Sequence, residues 1–363
     1  MQRSRARMLV PLVLTLGLVA TACGSSSSST GKGDNSGSTS STAAPAPKLA
    51  AATLSGSGAT FPQAYYESVI EAFKGVQPAV TVSYGGGGSG KGQTDLQAGL
   101  VQWAGTDSTI KPEDVSKFKG TFLYFPTVAA PITVSYNLSG VQLKLSPETL
   151  GQIFEGKITT WNDPAIKAEN SNANLPSTAI TVVHRSDGSG TTANFTKYLV
   201  AAAGTSWTLG TDKVVAWPAG QQAGEGNAGV AQIVKSTNGA VGYVDYSDAN
   251  YSGLVFASLK NASGKFVAPS LASATAALQG ATLNPDLTYN PLNAPGANAY
   301  PITAPTYIIV YQAQPDANVK AALKGFLQYI YGPGQQLAKT VDFAPLPSTI
   351  LTAAKTQVGT IGT

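Results

Sequence analysis

The sequence is poor in the side chains that most catalytic and metal sites use. Its 363 residues include one cysteine, Cys23, and one histidine, His184. A single cysteine excludes an internal disulfide and a cysteine-based zinc site, and leaves no cysteine nucleophile in the body of the chain. Without a second histidine, no histidine pair for a metal is available. Strand alternation places His184 opposite Arg185, so no Ser-base-acid triad can be assembled. We therefore expect no metal and no cofactor, and we interpret His184 as a core or surface histidine.

Charge is also scarce. Only 12% of the residues are charged, against ~25% in typical soluble domains. The formal net charge of +4 includes Arg3, Arg5 and Arg7. Removal of residues 1–22 would leave 20 basic residues against 19 acidic ones. This near balance gives no case for nucleic-acid binding.

The first residues have the pattern of an export signal. Three arginines precede an apolar stretch at residues 8–19, and Ala20, Thr21 and Ala22 precede Cys23. The stretch is shorter than the ~20 residues of a membrane-spanning helix, so it predicts a secretory signal. The small residues before Cys23 resemble a bacterial lipobox, which predicts a signal peptide at 1–22 and lipidation of Cys23. The alternative is an ordinary signal peptide with an incidental cysteine.

A tether and a folded body follow. Residues 23–47 are rich in Ser, Gly, Thr, Ala and Pro and predict a flexible tether. Beyond it, strand and helix patterns alternate, which predicts an α/β fold. Among them are two separate strands at 122–128 and 131–136, a helix that begins after Ser146, and a helix over 316–331. The protein would thus be lipid-anchored at the outer face of the cytoplasmic membrane.

Three Ser/Thr-Gly turns share one context. The turns at 57–61, 88–90 and 188–192 each follow a predicted strand and open a predicted helix. Such turns direct backbone N–H groups and the positive end of the helix dipole outward. Arg185 adds a bidentate cation beside the third turn, and Ser189 and Thr191 add hydroxyls. Each turn alone could be an ordinary cap, but together they predict an anion site at the carboxyl ends of the strands.

The glycine run at 85–92 is not a nucleotide-binding loop. Its spacing approaches that of a P-loop, but Gly92 occupies the position where the magnesium-binding Ser or Thr would stand. This departure argues against nucleotide hydrolysis. We interpret the neighbouring Lys91 as a solvated residue at a helix start.

Seven motifs occur in the order of a known family. They are GSGATFP (56–62), GGGGSG (85–90), the strand-end Asp107, FPTV (125–128), GKITTWND (156–163), RSDGSGTT (185–192) and GAVGYVDY (239–246). On these motifs the chain resembles the phosphate-binding proteins of the bacterial phosphate-specific ABC transporter. The resemblance covers about residues 49–350, and only the combination of motifs is specific.

The resemblance implies a two-lobed periplasmic-binding-protein fold of type II. Lobe one would comprise residues 48–137 and 301–363, and lobe two residues 138–300, with a hinge near Asn137 and Tyr300. The implied function is capture of inorganic phosphate between closing lobes. The closed protein, expected to be a monomer, would deliver the ion to a membrane permease driven by a cytoplasmic ATPase.

The resemblance also implies the phosphate contacts, position by position. They are Thr60, Phe61, Ser89, Asp107, Arg185, Ser189, Gly190 and Thr191. Asp187 matches an acidic residue that holds the arginine, although it could be a simple turn residue. At Gly90 and Lys91 some relatives have Ser-Gly, which leaves the backbone geometry there open.

Asp107 stands out because a carboxylate repels an anion. The repulsion disappears if the carboxylate accepts a hydrogen bond from a protonated phosphate oxygen. Sulfate has no such proton at neutral pH and would face a second negative charge. This chemistry predicts that Asp107 selects phosphate over sulfate. The alternative is an Asp that caps a helix before Lys111.

Three other functions stay open at this point. A secreted phosphatase could use a serine nucleophile with the same donors, although the residues for a triad are missing. A binding protein for sulfate, molybdate or tungstate would share the fold, but a carboxylate in the site disfavours a fully deprotonated ligand. A phosphate-sensing or adhesion lipoprotein would have no transporter.

Overall fold

The computed structural model of the protein describes residues 47–362. The expected signal peptide, Cys23 and residues 24–46 of the tether lie outside the described residues. Within 47–362, strands alternate with helices, which confirms the α/β class. None of the helices in that range combines the length and apolarity that a membrane crossing requires.

The described chain forms twelve strands and eleven α-helices. The strands are β1 (Ala52–Gly58), β2 (Val80–Gly85), β3 (Trp103–Thr106), β4 (Phe122–Tyr136), β5 (Lys144–Leu145), β6 (Thr181–Arg185), β7 (Gln222–Gly224), β8 (Ala240–Asp245), β9 (Val255–Phe256), β10 (Ser258–Lys260), β11 (Phe266–Val267) and β12 (Thr303–Tyr311). The helices are α1 (Gln63–Val76), α2 (Ser89–Ala98), α3 (Pro147–Phe154), α4 (Pro164–Glu169), α5 (Gly190–Ala202), α6 (Gly226–Ser236), α7 (Tyr246–Tyr251), α8 (Leu271–Leu278), α9 (Ala317–Tyr329), α10 (Gln335–Leu337) and α11 (Ser348–Val358).

One large sheet organises these elements. Its strand order is β2-β1-β3-β12-β4-β8-β6-β7, with β9 paired to β4. Strands β2, β1 and β3 are parallel to one another, and so are β8, β6 and β7. The two parallel groups are joined through β12 and β4, which pair antiparallel to their neighbours. Strands β11, β10 and β5 form a second, three-stranded sheet.

Strand β4 belongs to both halves of the large sheet. Its first part pairs with β12 as far as Pro131, and its second part pairs with β8 from Ile132 onward. The prediction of two strands at 122–128 and 131–136 is therefore wrong. Proline lacks the N–H that a sheet ladder needs, and Pro131 is tolerated where β4 changes its partner. The exchange between Pro131 and Ile132 precedes the lobe boundary expected at Asn137.

Helix starts follow the local signals in the sequence. The Ser146 hydroxyl accepts a hydrogen bond from the Thr149 N–H, and Pro147 occupies the first turn of α3, which confirms the predicted start. Asp316 caps α9 by accepting from two backbone N–H groups. A cap of this kind contributes ~1 kcal/mol to helix stability.

Aromatic packing fixes the strand ends in both halves. In the first half Trp103 of β3 stacks on Tyr84 of β2, with ring centroids 4.8 Å apart, and Tyr66 of α1 meets both rings edge-on. In the second half Tyr243 of β8 stacks on Phe195 of α5 at 4.5 Å. These buried rings hold β3, β8 and α5 at the sheet edge where the Ser/Thr-Gly turns lie.

Candidate anion-binding site

The three turns meet at one place in the structure. The turn at 57–61 follows β1, while α2 and α5 begin at Ser89 and Gly190. The Gly90 N–H donates to the Gly188 carbonyl at 2.8 Å, which joins the second turn to the third. The Ser189 hydroxyl caps α5 by accepting from the Thr192 N–H at 3.1 Å. Two helix N-termini thus converge, and their dipoles favour a negative charge between them.

Two glycines make this approach possible. A Cβ atom on Gly190 would lie 2.3 Å from the Ser89 Oγ and 2.7 Å from the Asp107 Cβ. A Cβ atom on Gly88, where φ is +89°, would lie 2.2 Å from the Asp187 Oδ2. These contacts join residues on opposite sides of the exchange between Pro131 and Ile132, so the two halves of the sheet are closed against each other here.

Arg185 and Asp187 form a two-point ion pair. The Arg185 Nε donates to the Asp187 Oδ1 at 2.8 Å, and the Nη2 donates to Oδ2 at 2.5 Å. Burial opposes the charge of this carboxylate, but the hydrogen bonds and the charge of Arg185 outweigh burial and lower the pKa of Asp187. The Arg185 side chain is 1% exposed, and it is the only arginine after residue 7. Asp187 therefore fixes the orientation of the guanidinium.

Asn227 contacts Arg185, and it was not predicted as a site residue from the sequence. Its Oδ1 accepts from the Arg185 Nη1 at 3.0 Å, and its Nδ2 donates to the Thr191 Oγ1 at 3.3 Å. Its backbone N–H donates to the Thr60 Oγ1 at 3.3 Å, across the two halves. A signal was present, because Asn227 opens α6 after β7 and a Gly-Glu-Gly turn, as a fourth strand-turn-helix unit.

Asp107 lies at the end of β3 in contact with both halves. Its N–H donates to the Ser89 Oγ at 3.1 Å, and the Ser89 hydroxyl faces Oδ2 at 3.4 Å. The Thr306 hydroxyl donates to Oδ1 at 2.7 Å. The Asn194 amide of α5 donates to the Asp107 backbone carbonyl at 2.6 Å. The alternative that Asp107 caps the next helix is wrong. That helix is a short 3-10 helix, Pro112–Lys117, and Lys111 is the residue at its N-cap.

The electrostatics of Asp107 differ from those of an ordinary carboxylate. Burial raises the pKa of Asp107 to about 7, although hydrogen bonds from Thr306 and Ser89 and the charge of Arg185 act in the opposite direction. Its side chain is 2% exposed. Near neutral pH this group can therefore both accept and release a proton, as carboxylates in functional sites often do.

Thr60 and Phe61 lie on the segment that leads from β1 into α1. The Phe61 ring is buried against Phe343, with centroids 5.8 Å apart, so its backbone is anchored at the turn. The Thr60 side chain is half-buried and receives the Asn227 N–H. Thr60 thus reaches the second half of the sheet.

Two other residues behave as structural groups. Lys91 pairs with Asp95 one turn along α2 at 2.5 Å, and its side chain is 53% exposed. His184 stacks on Trp217 with ring centroids 5.1 Å apart, and its Nδ1 lies 2.9 Å from the Arg185 carbonyl. Both placements agree with their interpretation from the sequence. Within residues 47–362 no group of three or more His, Cys, Asp or Glu side chains is arranged to hold a metal ion.

Polar contacts also cross the two halves beside the site. The Lys111 Nζ lies 2.5 Å from the Asp212 Oδ2, and the Lys213 Nζ donates to the Gln93 Oε1. The Lys213 carbonyl in turn accepts from the Ser189 N–H at 3.0 Å. The loop that carries residues 212 and 213 therefore links the start of α5 to the first half of the sheet.

Comparison of the sequence with known proteins gives one consistent family. The chain matches the family described as PBP superfamily domain over residues 26–333. It is 36% identical over 314 residues to the phosphate-binding protein PstS of Pasteurella multocida, with 85% of this chain and 90% of that protein covered. It is 38% identical over 306 residues to PstS of Methanocaldococcus jannaschii, with 77% and 78% covered.

Solved structures support the fold. A high affinity periplasmic phosphate-binding protein, PfluDING, bound with phosphate, superimposes with a TM-score of 0.71 at 24% identity and covers 84% of this chain and 93% of its own. A phosphate-binding protein from Stenotrophomonas maltophilia gives a TM-score of 0.69 at 23% identity, with 84% and 93% covered. At these identities the similarity establishes the two-lobed fold alone. The family match and the sequence relatives show that the chain belongs to the PstS family of phosphate-binding proteins within the PBP superfamily.

Proposed function

We propose that the protein binds inorganic phosphate between its two lobes and hands it, chemically unchanged, to an ABC permease. The observation that carries the proposal is the buried carboxylate of Asp107 among groups that otherwise donate hydrogen bonds. The proposed contacts are Thr60, Phe61, Ser89, Asp107, Arg185, Ser189, Gly190 and Thr191. The names of the relatives support the same ligand.

The hydrogen-bond donors of the site suit a tetrahedral oxyanion, and Asp107 favours an oxyanion that keeps a proton. Hydroxyls of Ser89, Ser189 and Thr191, the guanidinium of Arg185 and the backbone N–H groups at two helix starts can donate to all four oxygens. A phosphate that keeps a proton can donate it to Asp107. A fully deprotonated anion such as sulfate would leave two facing negative charges in a buried site, at a cost of several kcal/mol.

The proposed lobe boundaries follow the sheet. The sequence predicts lobe one at residues 48–137 and 301–363 and lobe two at residues 138–300. We propose to shift these boundaries to residues 47–131 with 303–362 and to residues 132–302, because β4 changes partner after Pro131 and β12 begins at Thr303. The crossing strands would then act as the hinge. Closure brings Gly90 to Gly188 and Asp107 to Asn194, and ligand contacts from both lobes would select the closed form.

Gly190→Ala tests whether the close approach of Gly190 to Ser89 and Asp107 is needed for phosphate binding. The added methyl group would meet Ser89 and Asp107 within 2.7 Å, so closure would be strained while the open protein would fold normally. Overpacking of this kind costs ~1–3 kcal/mol, which predicts a loss of phosphate affinity of about 10- to 100-fold by calorimetry. Gly75→Ala is the matched control, because its Cβ would meet no atom within 4 Å. Equal affinities of the two variants would contradict the close approach.

The cellular context rests on the sequence and on the family. We propose that Cys23 carries a lipid that holds the protein at the outer face of the cytoplasmic membrane. The partners would be the permease and the cytoplasmic ATPase of the same transporter, with the protein acting as a monomer. Detergent-phase partitioning of the expressed protein tests the lipid anchor, and phosphate uptake in a deletion strain tests the transport role.

A direct test of the function uses the protein as purified. We expect native mass spectrometry to show one phosphate per chain, and a colorimetric assay to recover that phosphate after denaturation. Protein freed of phosphate should rebind it in calorimetric titration and should leave p-nitrophenyl phosphate intact. Failure to bind added phosphate would contradict the proposed function, and turnover of the ester would favour a phosphatase.

A further inference from the structure

Thr306 makes a contact that the proposed phosphate contacts do not explain. It lies on β12, is fully buried, and donates its hydroxyl to the Asp107 Oδ1 at 2.7 Å. The two residues are 199 positions apart in the sequence. The protein therefore holds one oxygen of the Asp107 carboxylate. Among residues 47–362, Oδ2 has only the longer 3.4 Å approach of the Ser89 hydroxyl.

A β-bulge in β12 lies next to Thr306, the residue that contacts Asp107. The register between β12 and β4 shifts between Thr306 and Tyr307, so that Thr306 faces Val128 and Tyr307 faces Pro126. Thr127, which lies between Pro126 and Val128 on β4, donates from its Oγ1 to the Thr306 carbonyl at 3.4 Å. Bulges beside functional sites often redirect a side chain in this way. The placement of the Thr306 hydroxyl is thus built into the sheet.

We propose that Thr306 is a positioning residue for selectivity: it holds Oδ1 of Asp107 so that Oδ2 faces the ligand as a hydrogen-bond acceptor. The inference rests on the proposed function of phosphate binding and adds a determinant of its specificity. A carboxylate with one oxygen occupied by a donor presents its free oxygen in a fixed direction and favours the ionised form. The ionised form is the one that rejects sulfate.

Several other charged or titratable groups surround Asp107, and the test must separate their effects from that of Thr306. Arg185 faces the carboxylate from lobe two, Tyr66 and Tyr84 face it from α1 and β2, and Asp245 acts on it from β8. Burial raises the pKa of both tyrosines well above neutrality, so they stay uncharged between pH 6 and 9. Burial also raises the pKa of Asp245, so the experiment includes a background in which Asp107 cannot titrate.

The test compares phosphate and sulfate affinities at pH 6, 7, 8 and 9 by competition calorimetry. Thr306→Val removes the hydroxyl and keeps the shape. We expect its phosphate-to-sulfate affinity ratio at pH 8 to fall at least tenfold, and the midpoint of its pH profile to move up by about one pH unit. Thr306→Ser keeps the donor and should stay within about threefold of the wild type. Thr306→Ala gives a second donor-free variant if the valine variant folds poorly.

Thr303→Val is the matched control on the same strand. Thr303 is equally buried, but its hydroxyl donates to the Tyr300 carbonyl and not to Asp107, so its ratio and pH profile should match the wild type. In an Asp107→Asn background, Thr306→Val should leave the ratio unchanged. The inference is overturned if wild type and Thr303→Val bind phosphate and both donor-free variants keep the wild-type ratio and midpoint. Absence of phosphate binding by the wild type would instead defeat the proposed function.

Discussion

Arg185→Met should weaken phosphate binding about a thousandfold, or ~4 kcal/mol, at neutral pH. The substitution removes the one guanidinium of the site. Asp187 and Asn227 accept from three of its five N–H donors, which leaves up to two charge-assisted hydrogen bonds for the ligand. The substitution also leaves Asp187 half-buried without the partner that now binds it at two points. Loss of one partner from such a pair typically costs 3–5 kcal/mol. Calorimetric titration of the refolded, phosphate-free protein measures the effect.

A double variant separates the loss of hydrogen bonds to the ligand from the cost of leaving Asp187 without its partner. Arg185→Met with Asp187→Asn removes the stranded charge and should recover about tenfold of the lost affinity. Lys91→Met is the charge control, because its ammonium is largely exposed and paired with Asp95, and it should change the affinity less than threefold. An Arg185→Met protein that binds phosphate within tenfold of the wild type would refute the assigned role of Arg185.

Asp107→Asn should reduce the phosphate-to-sulfate affinity ratio about a hundredfold, or ~2.7 kcal/mol. The amide has nearly the shape of the carboxylate and can still accept from Thr306. It carries no charge, and its NH₂ group can donate to an oxygen of sulfate. Phosphate should lose affinity because its proton loses an ionised acceptor, whereas sulfate should gain. Competition calorimetry with the two anions at pH 8 gives the ratio directly.

The same residue predicts a pH dependence of selectivity. Burial raises the pKa of Asp107 to about 7, so its carboxylate is ionised at pH 8 and mostly protonated at pH 6. A protonated Asp107 becomes a donor and tolerates sulfate. Phosphate also changes its protonation state near neutral pH and shifts the ratio in every variant, so Asp107→Asn serves as the reference. From pH 8 to pH 6 the ratio should fall about tenfold more in the wild type than in Asp107→Asn. Parallel profiles in the two proteins would show that another group titrates.

The strand-turn-helix segments of the site could be predicted from the sequence, because a few consecutive residues determine each of them. A strand, a Ser/Thr-Gly turn and a helix start occur together at Ser89 and again at Ser189, and Arg185 and Asp187 directly precede the turn at 188–192. Backbone geometry places such N–H groups outward whatever the rest of the fold does. The structure brings these turns together at the predicted sheet edge.

The remaining parts depend on contacts between distant segments. Thr306 reaches Asp107 only because β12 returns between β3 and β4 and carries a bulge. Asn227 bridges Arg185 and Thr60 only when the two halves of the sheet are closed. The continuity of β4 through Pro131 likewise depends on a change of partner strand that no local pattern records. Sequence signals of short range cannot predict these features.

The buried carboxylate of Asp107, placed among hydrogen-bond donors, should select an oxyanion that keeps a proton. The most direct measurement is the titration of phosphate-free wild-type protein with phosphate and with sulfate at pH 8 in the same buffer. We predict one tight site for phosphate, and an affinity for sulfate at least a thousandfold lower, which corresponds to ~4 kcal/mol. Comparable affinities for the two anions would contradict the role of Asp107 and the proposed specificity with it.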